Sequence, residues 1–456
     1  MRAIPCLWLA CALAVAAAPP PARSQAAVAD GPPEAMGANV LVDRLVALGF
    51  EEVRVAAAPG AGASAAAAGL RVVLENRRFR DPAFALGVVA AVLAGQDASR
   101  DCELILLRQG LPVARLRFLP EDVGALARGT LAPEVFADRI ECEPLPDLDV
   151  EAWLAAGGPP GPPARSRARM RFDVGPRVTL DSQFGHIDQP FTYHLEIGPE
   201  ISTQPWKGAL LRASWAFPWA HGNDIPPDGL HPDYHQSRLG EAALFQFHRL
   251  GSHVLGSFSA GYFGVNRYGF SAGAGMTAGR SFYLDVSADL TGSLAFRPEM
   301  TYSGLTRVTF SGGATYRPGS PDLAFSVRGG RYLFGATAGS GTGAYAVRAE
   351  MARRFHQVEV GFFVVQAESK HYGGLRLSLP LPPAIRLRPN KLRLDAPPAF
   401  PAEYRTEEAP FEAQPVNSRL RAALLDDLWP SSIRAQWDSW IAGYLHVWQG
   451  QGGLEP

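Results

Sequence analysis

The sequence predicts a mainly β protein: a single antiparallel outer-membrane β-barrel of about twelve strands, preceded by a small periplasmic α/β domain and followed by a helical tail. Three observations predict it: an amino-terminal export segment, a long central run of period-two alternation, and a composition rich in backbone punctuation and aromatic rings. Of 456 residues, 47 are Gly and 39 are Pro, so a compact helical protein is excluded. The 24 Phe, 12 Tyr and 9 Trp supply enough apolar surface to exclude general disorder. Lys and Arg number 43 against 44 acids, a net charge of −1, so no basic field exists to hold nucleic acid.

Residues 1–26 read as a bacterial signal peptide. Arg2 supplies a positive start, Leu7 to Ala18 is apolar, and Ser24-Gln25-Ala26 is a small-x-small cleavage site. The run is too short to span a bilayer, and no later stretch has the length of a membrane helix. Cys6 and Cys11 leave with the signal. Cys102 and Cys142 remain as a candidate disulfide in an oxidising compartment.

Residues 36–150 read as the α/β domain. Val40, Leu41, Leu45 and Leu48 recur at helical spacing, and Gly49 is a stop signal. Strands are expected around Val53–Val55, Leu70–Leu74, Glu103–Arg108 and Pro112–Phe118, with a helix opening at Asp81-Pro82 and a tight hairpin at Gln109-Gly110. The domain holds no phosphate loop or nucleophile elbow, which favours an interaction module over an enzyme. Residues 151–168 form a Pro/Gly-rich linker, followed by Arg169 and Arg171.

Residues 169–381 carry the barrel. Phe282, Leu284, Val286, Ala288 and Leu290 alternate with Tyr283, Asp285, Ser287 and Asp289, and the same pattern recurs in Val308–Tyr316 and Tyr345–Met351. Segments near 169–181, 191–202, 208–217, 238–249, 252–264, 267–278, 280–290, 304–317, 322–332, 344–354, 356–367 and 373–381 have strand character. Many are longer than soluble strands usually are and suit tilted membrane strands. Tight connections alternate with long ones, and the long ones at 218–237, 291–303 and 335–343 suit an external edge. An even strand number would return the chain to its starting side. The polar phase nominates Asp285, Asp289, Arg328, Arg348, Glu350 and Glu359 as facing the lumen. Trp206, Trp215, Trp219, Tyr262 and Tyr268 lie near strand ends, as interfacial girdles do.

His221, Asp224, His231 and His235 crowd one long loop, together with Asp228 and Asp233. Their irregular spacing argues for a polymer-contacting external loop over a metal site. Residues 382–456 hold a proline-rich segment and then an amphipathic tail, in which Ile433, Trp437, Trp440, Ile441, Tyr444 and Trp448 form one stripe. That stripe could lie on the leaflet surface, plug the barrel or dock on the α/β domain.

The runs Gly330-Arg331-Tyr332-Leu333-Phe334-Gly335, Met351-Ala352-Arg353-Arg354-Phe355, Val358-Glu359-Val360-Gly361-Phe362 and Leu375-Arg376-Leu377-Ser378-Leu379-Pro380 resemble those of the YjbH-like family. In the amino-terminal domain, Leu48-Gly49-Phe50-Glu51-Glu52-Val53-Arg54-Val55 and Glu75-Asn76-Arg77-Arg78-Phe79-Arg80 are similar to its periplasmic segments. Ala336 stands where the family pattern carries Asp, and the chain has room for one barrel where fuller members have two. The resemblance implies an outer-membrane β-barrel protein of a Gram-negative cell associated with exopolysaccharide biosynthesis. The expectation is therefore a non-catalytic protein without cofactors, in contact with outer-membrane lipid, exopolysaccharide and periplasmic export components, its domain and tail both periplasmic. The rival readings are a general porin and an outer-membrane enzyme that modifies lipid or polysaccharide.

Overall fold

The computed structural model describes residues 38–58, 69–97, 101–156, 170–184, 191–222, 235–264, 266–296, 300–319, 322–334, 343–368, 370–388, 391–397, 399–406, 412–413, 416 and 424–449. The expected signal peptide and most of the linker lie outside these residues. No helix among the described residues is long and apolar enough to cross a membrane.

The chain opens with α1 (Ala38–Ala47), β1 (Phe50–Ala57), β2 (Leu70–Asn76), α2 (Pro82–Asp97), β3 (Cys102–Arg108), β4 (Leu111–Phe118), α3 (Pro120–Ala127), α4 (Pro133–Arg139), β5 (Glu141–Pro144) and α5 (Val150–Ala155). The strands pair in chain order, and only β2 and β3 are parallel because α2 makes the crossover between them. Leu41, Val42 and Leu45 bury one face of α1, and Gly49 ends that helix at φ +97°. Gln109 and Gly110 are both left-handed, the geometry a two-residue hairpin demands. Asp149 caps α5 by accepting from the Glu151 N–H (3.0 Å), which turns Trp153 and Leu154 onto Val73 and Ile105 of the sheet.

The candidate disulfide does not form. Cys102 and Cys142 are free and buried. Cys102 is opposite Phe118, and Cys142 is opposite Leu116, both on β4. The cysteines thus flank an intervening strand, about 10 Å apart by sheet spacing, beyond the reach of a bridge. Burial pushes both thiols up, Cys142 to about 12.

Twelve long antiparallel strands follow, each in one of the segments read from the alternation. They are β6 (Phe172–Phe184), β7 (Phe191–Thr203), β8 (Ala209–Gly222), β9 (Arg238–Gly251), β10 (Val254–Tyr262), β11 (Arg267–Ala278) and β12 (Phe282–Ala295). After the two-residue β13 (Thr301–Tyr302) come β14 (Arg307–Tyr316), β15 (Leu323–Phe334), β16 (Ala344–Phe355), β17 (Val358–Ala367) and β18 (Lys370–Pro380). Large apolar side chains such as Leu211, Phe258, Leu284, Val308, Val327, Val347 and Val364 stand exposed on the outer wall. They alternate with polar residues that the barrel buries.

The barrel closes with thirteen strands, because the proline-rich stretch supplies one more. β19 (Leu392–Leu394) runs parallel to the start of β6, and β20 (Ala399–Thr406) lies between β6 and β18, parallel to the former and antiparallel to the latter. The count is therefore odd, and β20 leaves the chain at the end of the barrel distal to the α/β domain. β21 (Glu412–Ala413) then pairs with Leu333 and Phe334 at that distal end. The Val416 N–H donates to the Asp289 carboxylate inside the barrel (3.0 Å). Asp426 and Asp427 meet Arg317 and Arg354 at the proximal end. The described tail residues thus occupy successive depths of the lumen, from distal to proximal.

Below the proximal mouth the tail forms α6 (Pro430–Ala435) and α7 (Trp437–Gln449). Trp440 is fully buried, with Phe118 and Phe136 edge-on to it at 5.4 Å. Of the three destinations considered for the helical stripe, docking on the α/β domain is the one observed. That domain also holds the barrel's proximal rim. Gln109 accepts from the Gly208 N–H (2.7 Å), and Arg249 donates to the carbonyls of Leu145 and Pro146. Arg80 reaches the carbonyls of Leu381, Ala396 and Pro397. Arg171, which follows the linker in sequence, is buried and paired with Glu51.

Candidate functional site

The six residues nominated from the polar phase all sit on the inward side of their strands. Asp285 and Arg328 form a bidentate pair (2.6 and 2.7 Å) joining β12 to β15 across β14. Asp289 pairs with Arg267 (2.8 Å), and the same carboxylate holds the Val416 N–H. On these strands apolar residues take the outward positions and polar residues the inward ones. A carboxylate buried there needs a cation or donor close by.

On the adjoining strands β16, β17, β18 and β20 the pairs run together. Arg348 lies 3.9 Å above the Phe363 ring and pairs with Glu350 (3.3 Å) and Glu403 (3.2 Å). Arg376 bridges Glu350 (2.8 Å) and Glu359 (2.5 Å), and Glu359 also holds Arg354 (3.1 Å). Arg354 reaches Asp427 of the tail (2.8 Å), and Arg317 reaches Asp426 (2.7 Å). The result is a ladder of alternating charge from the β20 seam to the threaded tail.

This ladder lines a cavity of about 150 Å³ at the proximal end, completed by Tyr283, Asp322 and Trp429. Across the mouth the lining is apolar instead. Phe245, Phe247 and Leu255 are buried in one cluster that runs on into the α/β core. The proximal mouth is thus sealed on one side by oily packing and carries a polar cavity on the other.

The long loop at 218–237 lies only partly within the described residues. Asp224, Asp228, His231 and Asp233 lie outside the described residues, as does the side chain of His221. The His221 backbone is opposite His194, and the His235 ring is 5.4 Å from that of His194. His194 Nε2 lies 3.2 Å from Glu196, which also pairs with Arg238 (2.5 Å). Among the described residues no His, Cys, Asp and Glu group could hold a metal ion. Of the strand-end aromatics, Trp206, Trp215 and Trp219 are exposed. Tyr262 is buried, because its hydroxyl turns to Asn266 (3.0 Å).

Several members of the site were not singled out from sequence. Arg354 and Arg376 share the phase that revealed Glu350 and Glu359, so the signal was present. Asp426, Asp427 and Trp429 carry no such signal, since they join the lumen only through the path of the tail.

The fold and the lumen together define a β-barrel capped at one mouth by an α/β domain and occupied by its own carboxy-terminal segment. No protein-family model matches the chain, and no curated protein matches it.

Proposed function

We propose that this is an outer-membrane protein that serves exopolysaccharide production or export without catalysing a reaction, its α/β domain and helical tail on the periplasmic side. The observation that carries the reading is the charged ladder inside a barrel whose outer wall is apolar. Such a wall suits lipid, and a polar, sign-balanced interior suits a hydrated polymer. The likeness of the strand and domain motifs to the YjbH-like family supplies the polymer class and supports the same membrane. The capped proximal mouth supports a role for the domain as the contact point for periplasmic export components.

Clean deletion with complementation tests the reading. Loss of surface polysaccharide that the intact chain restores is the expected result, with the protein recovered in the outer-membrane fraction. Unchanged polymer in the deletion strain overturns the polymer assignment, and a soluble protein after export overturns the membrane assignment.

A further inference from the structure

We propose that the proximal lumenal cavity is a binding site for an uncharged stretch of glycan chain. The inference rests on the polymer reading above and adds the place of contact and the charge class of the ligand.

Trp429 and Asp322 bring polar atoms of opposite kind to the wall of this cavity. The Trp429 indole N–H and the Asp322 Oδ2 have no hydrogen-bond partner among the described residues, although Trp429 is 2% and Asp322 5% exposed. Both side chains line the cavity. They are joined through Arg317, which lies 5.7 Å from the Trp429 ring and 3.9 Å from the other Asp322 oxygen. A buried donor or acceptor left without a hydrogen bond is costly, so a ligand group able to satisfy both is favoured. A hydroxyl donates and accepts at once, and vicinal hydroxyls offer this in pairs.

The rest of the lining fixes the charge class. Guanidinium groups of Arg328, Arg348, Arg354 and Arg376 are interleaved with the carboxylates of Glu350 and Glu359, and each is already paired. Such a wall has almost no net field, so it gives a phosphate or a polyuronate little to bind. It presents many planar donors and acceptors, and the Tyr283 and Trp429 rings, 6.4 Å apart, add the apolar faces on which sugar C–H groups rest.

The test uses the full-length protein in nanodiscs, with maltohexaose as the neutral probe and a guluronate hexamer as the acidic one, read by saturation-transfer NMR. Maltohexaose is expected to bind saturably, with a Kd on the order of 1 mM, and the acidic hexamer at least about fivefold more weakly. Asp322→Asn and Trp429→Phe are each expected to weaken maltohexaose binding at least about fivefold. Asp322→Asn keeps the side-chain volume and Trp429→Phe trims one ring, so the unfolding midpoint of each variant is measured alongside and binding is compared at a temperature where all are folded. Arg376→Gln, half-exposed in the ladder, is a third variant for use if either fails to fold. Absence of saturable binding, tighter binding of the acidic probe, or unaltered binding in all folded variants overturns the proposal. Neutral-probe binding in a protein whose deletion leaves polymer unchanged supports the site and overturns the polymer reading. Polymer loss on deletion without any probe binding does the reverse.

Discussion

Gly87 of α2 and Gly443 of α7 lie at one crossing, each against the backbone of the other helix. A Cβ on Gly87 would collide with the Trp440 carbonyl, and one on Gly443 would collide with the Phe84 carbonyl. Residues far apart in sequence therefore share a contact closer than any side chain permits. The α/β domain is complete only when the tail has threaded the barrel and returned to it.

Gly443→Ala should therefore destabilise the domain. Alanine favours a helix by about 1 kcal/mol over glycine, but overpacking costs about 1–3 kcal/mol, and here the obstacle is backbone that cannot rotate away. A lowered thermal midpoint and faster proteolytic release of the tail are expected, with the barrel itself intact. A midpoint equal to that of the parent would mean that the two helices separate freely.

The Arg267–Asp289 pair inside the barrel predicts an asymmetry between single and double variants. Both side chains are almost wholly buried. Removing one partner strands the other charge, at a cost of about 3–5 kcal/mol. Arg267→Met alone and Asp289→Leu alone should each lower the temperature at which the barrel unfolds on heat-shift gels. The double variant should recover much of that loss, short of the hydrogen bond to Val416. Equal and additive losses would show that the pair is solvated.

Stability of the α/β domain should fall in acid through Glu103. Burial pushes its carboxyl up, but Arg115 (2.6 Å) and Arg71 (3.2 Å) hold it below the usual carboxylate range. A depressed folded-state value means that its contribution is complete above the unfolded carboxylate range and is lost as pH falls through the folded value. Arg115 is partly exposed, so screening limits the effect to about 0.5–1 kcal/mol. Glu103→Gln should be less stable than the parent at pH 7 by that amount, and the two should converge near the acid end of the titration. A gap that widens in acid would reverse the sign and refute the assignment.

How much of this was legible in the sequence follows from what each residue faces. Strands such as β12 and β16 meet different surroundings on their two sides, so alternation marked both the strand and its inward residues. β20 has eight residues with Pro401 among them, and too little alternation to stand out from a proline-rich stretch. Its presence is what makes the strand count odd. The even count expected for returning the tail to the domain side was thus the wrong route, since the tail reaches that side through the lumen. Cysteine number suggested a bridge, but only register reveals that β4 stands between Cys102 and Cys142. The part of the cavity lined by Leu425, Asp426 and Trp429 was illegible for the same reason, as their position depends on a path of the chain and not on a local pattern.

The threaded tail makes a prediction that separates this protein from an open pore. Its proximal hold consists of Arg317 to Asp426, Arg354 to Asp427, and the Ser432 hydroxyl donating to Asp322 (2.9 Å). Apolar packing of Phe245, Phe247 and Leu255 seals the other side of the mouth. In planar bilayers the intact chain should carry no steady ionic current. Arg317→Gln with Arg354→Gln removes two charged anchors but leaves the α6 and α7 contacts in the domain. That double variant should show brief openings on a closed baseline, since charge-assisted bonds of about 1.5–3 kcal/mol each are lost while the tether remains. Steady conductance from the unaltered protein would mean that the tail leaves the lumen readily, and the general-porin reading would then take precedence.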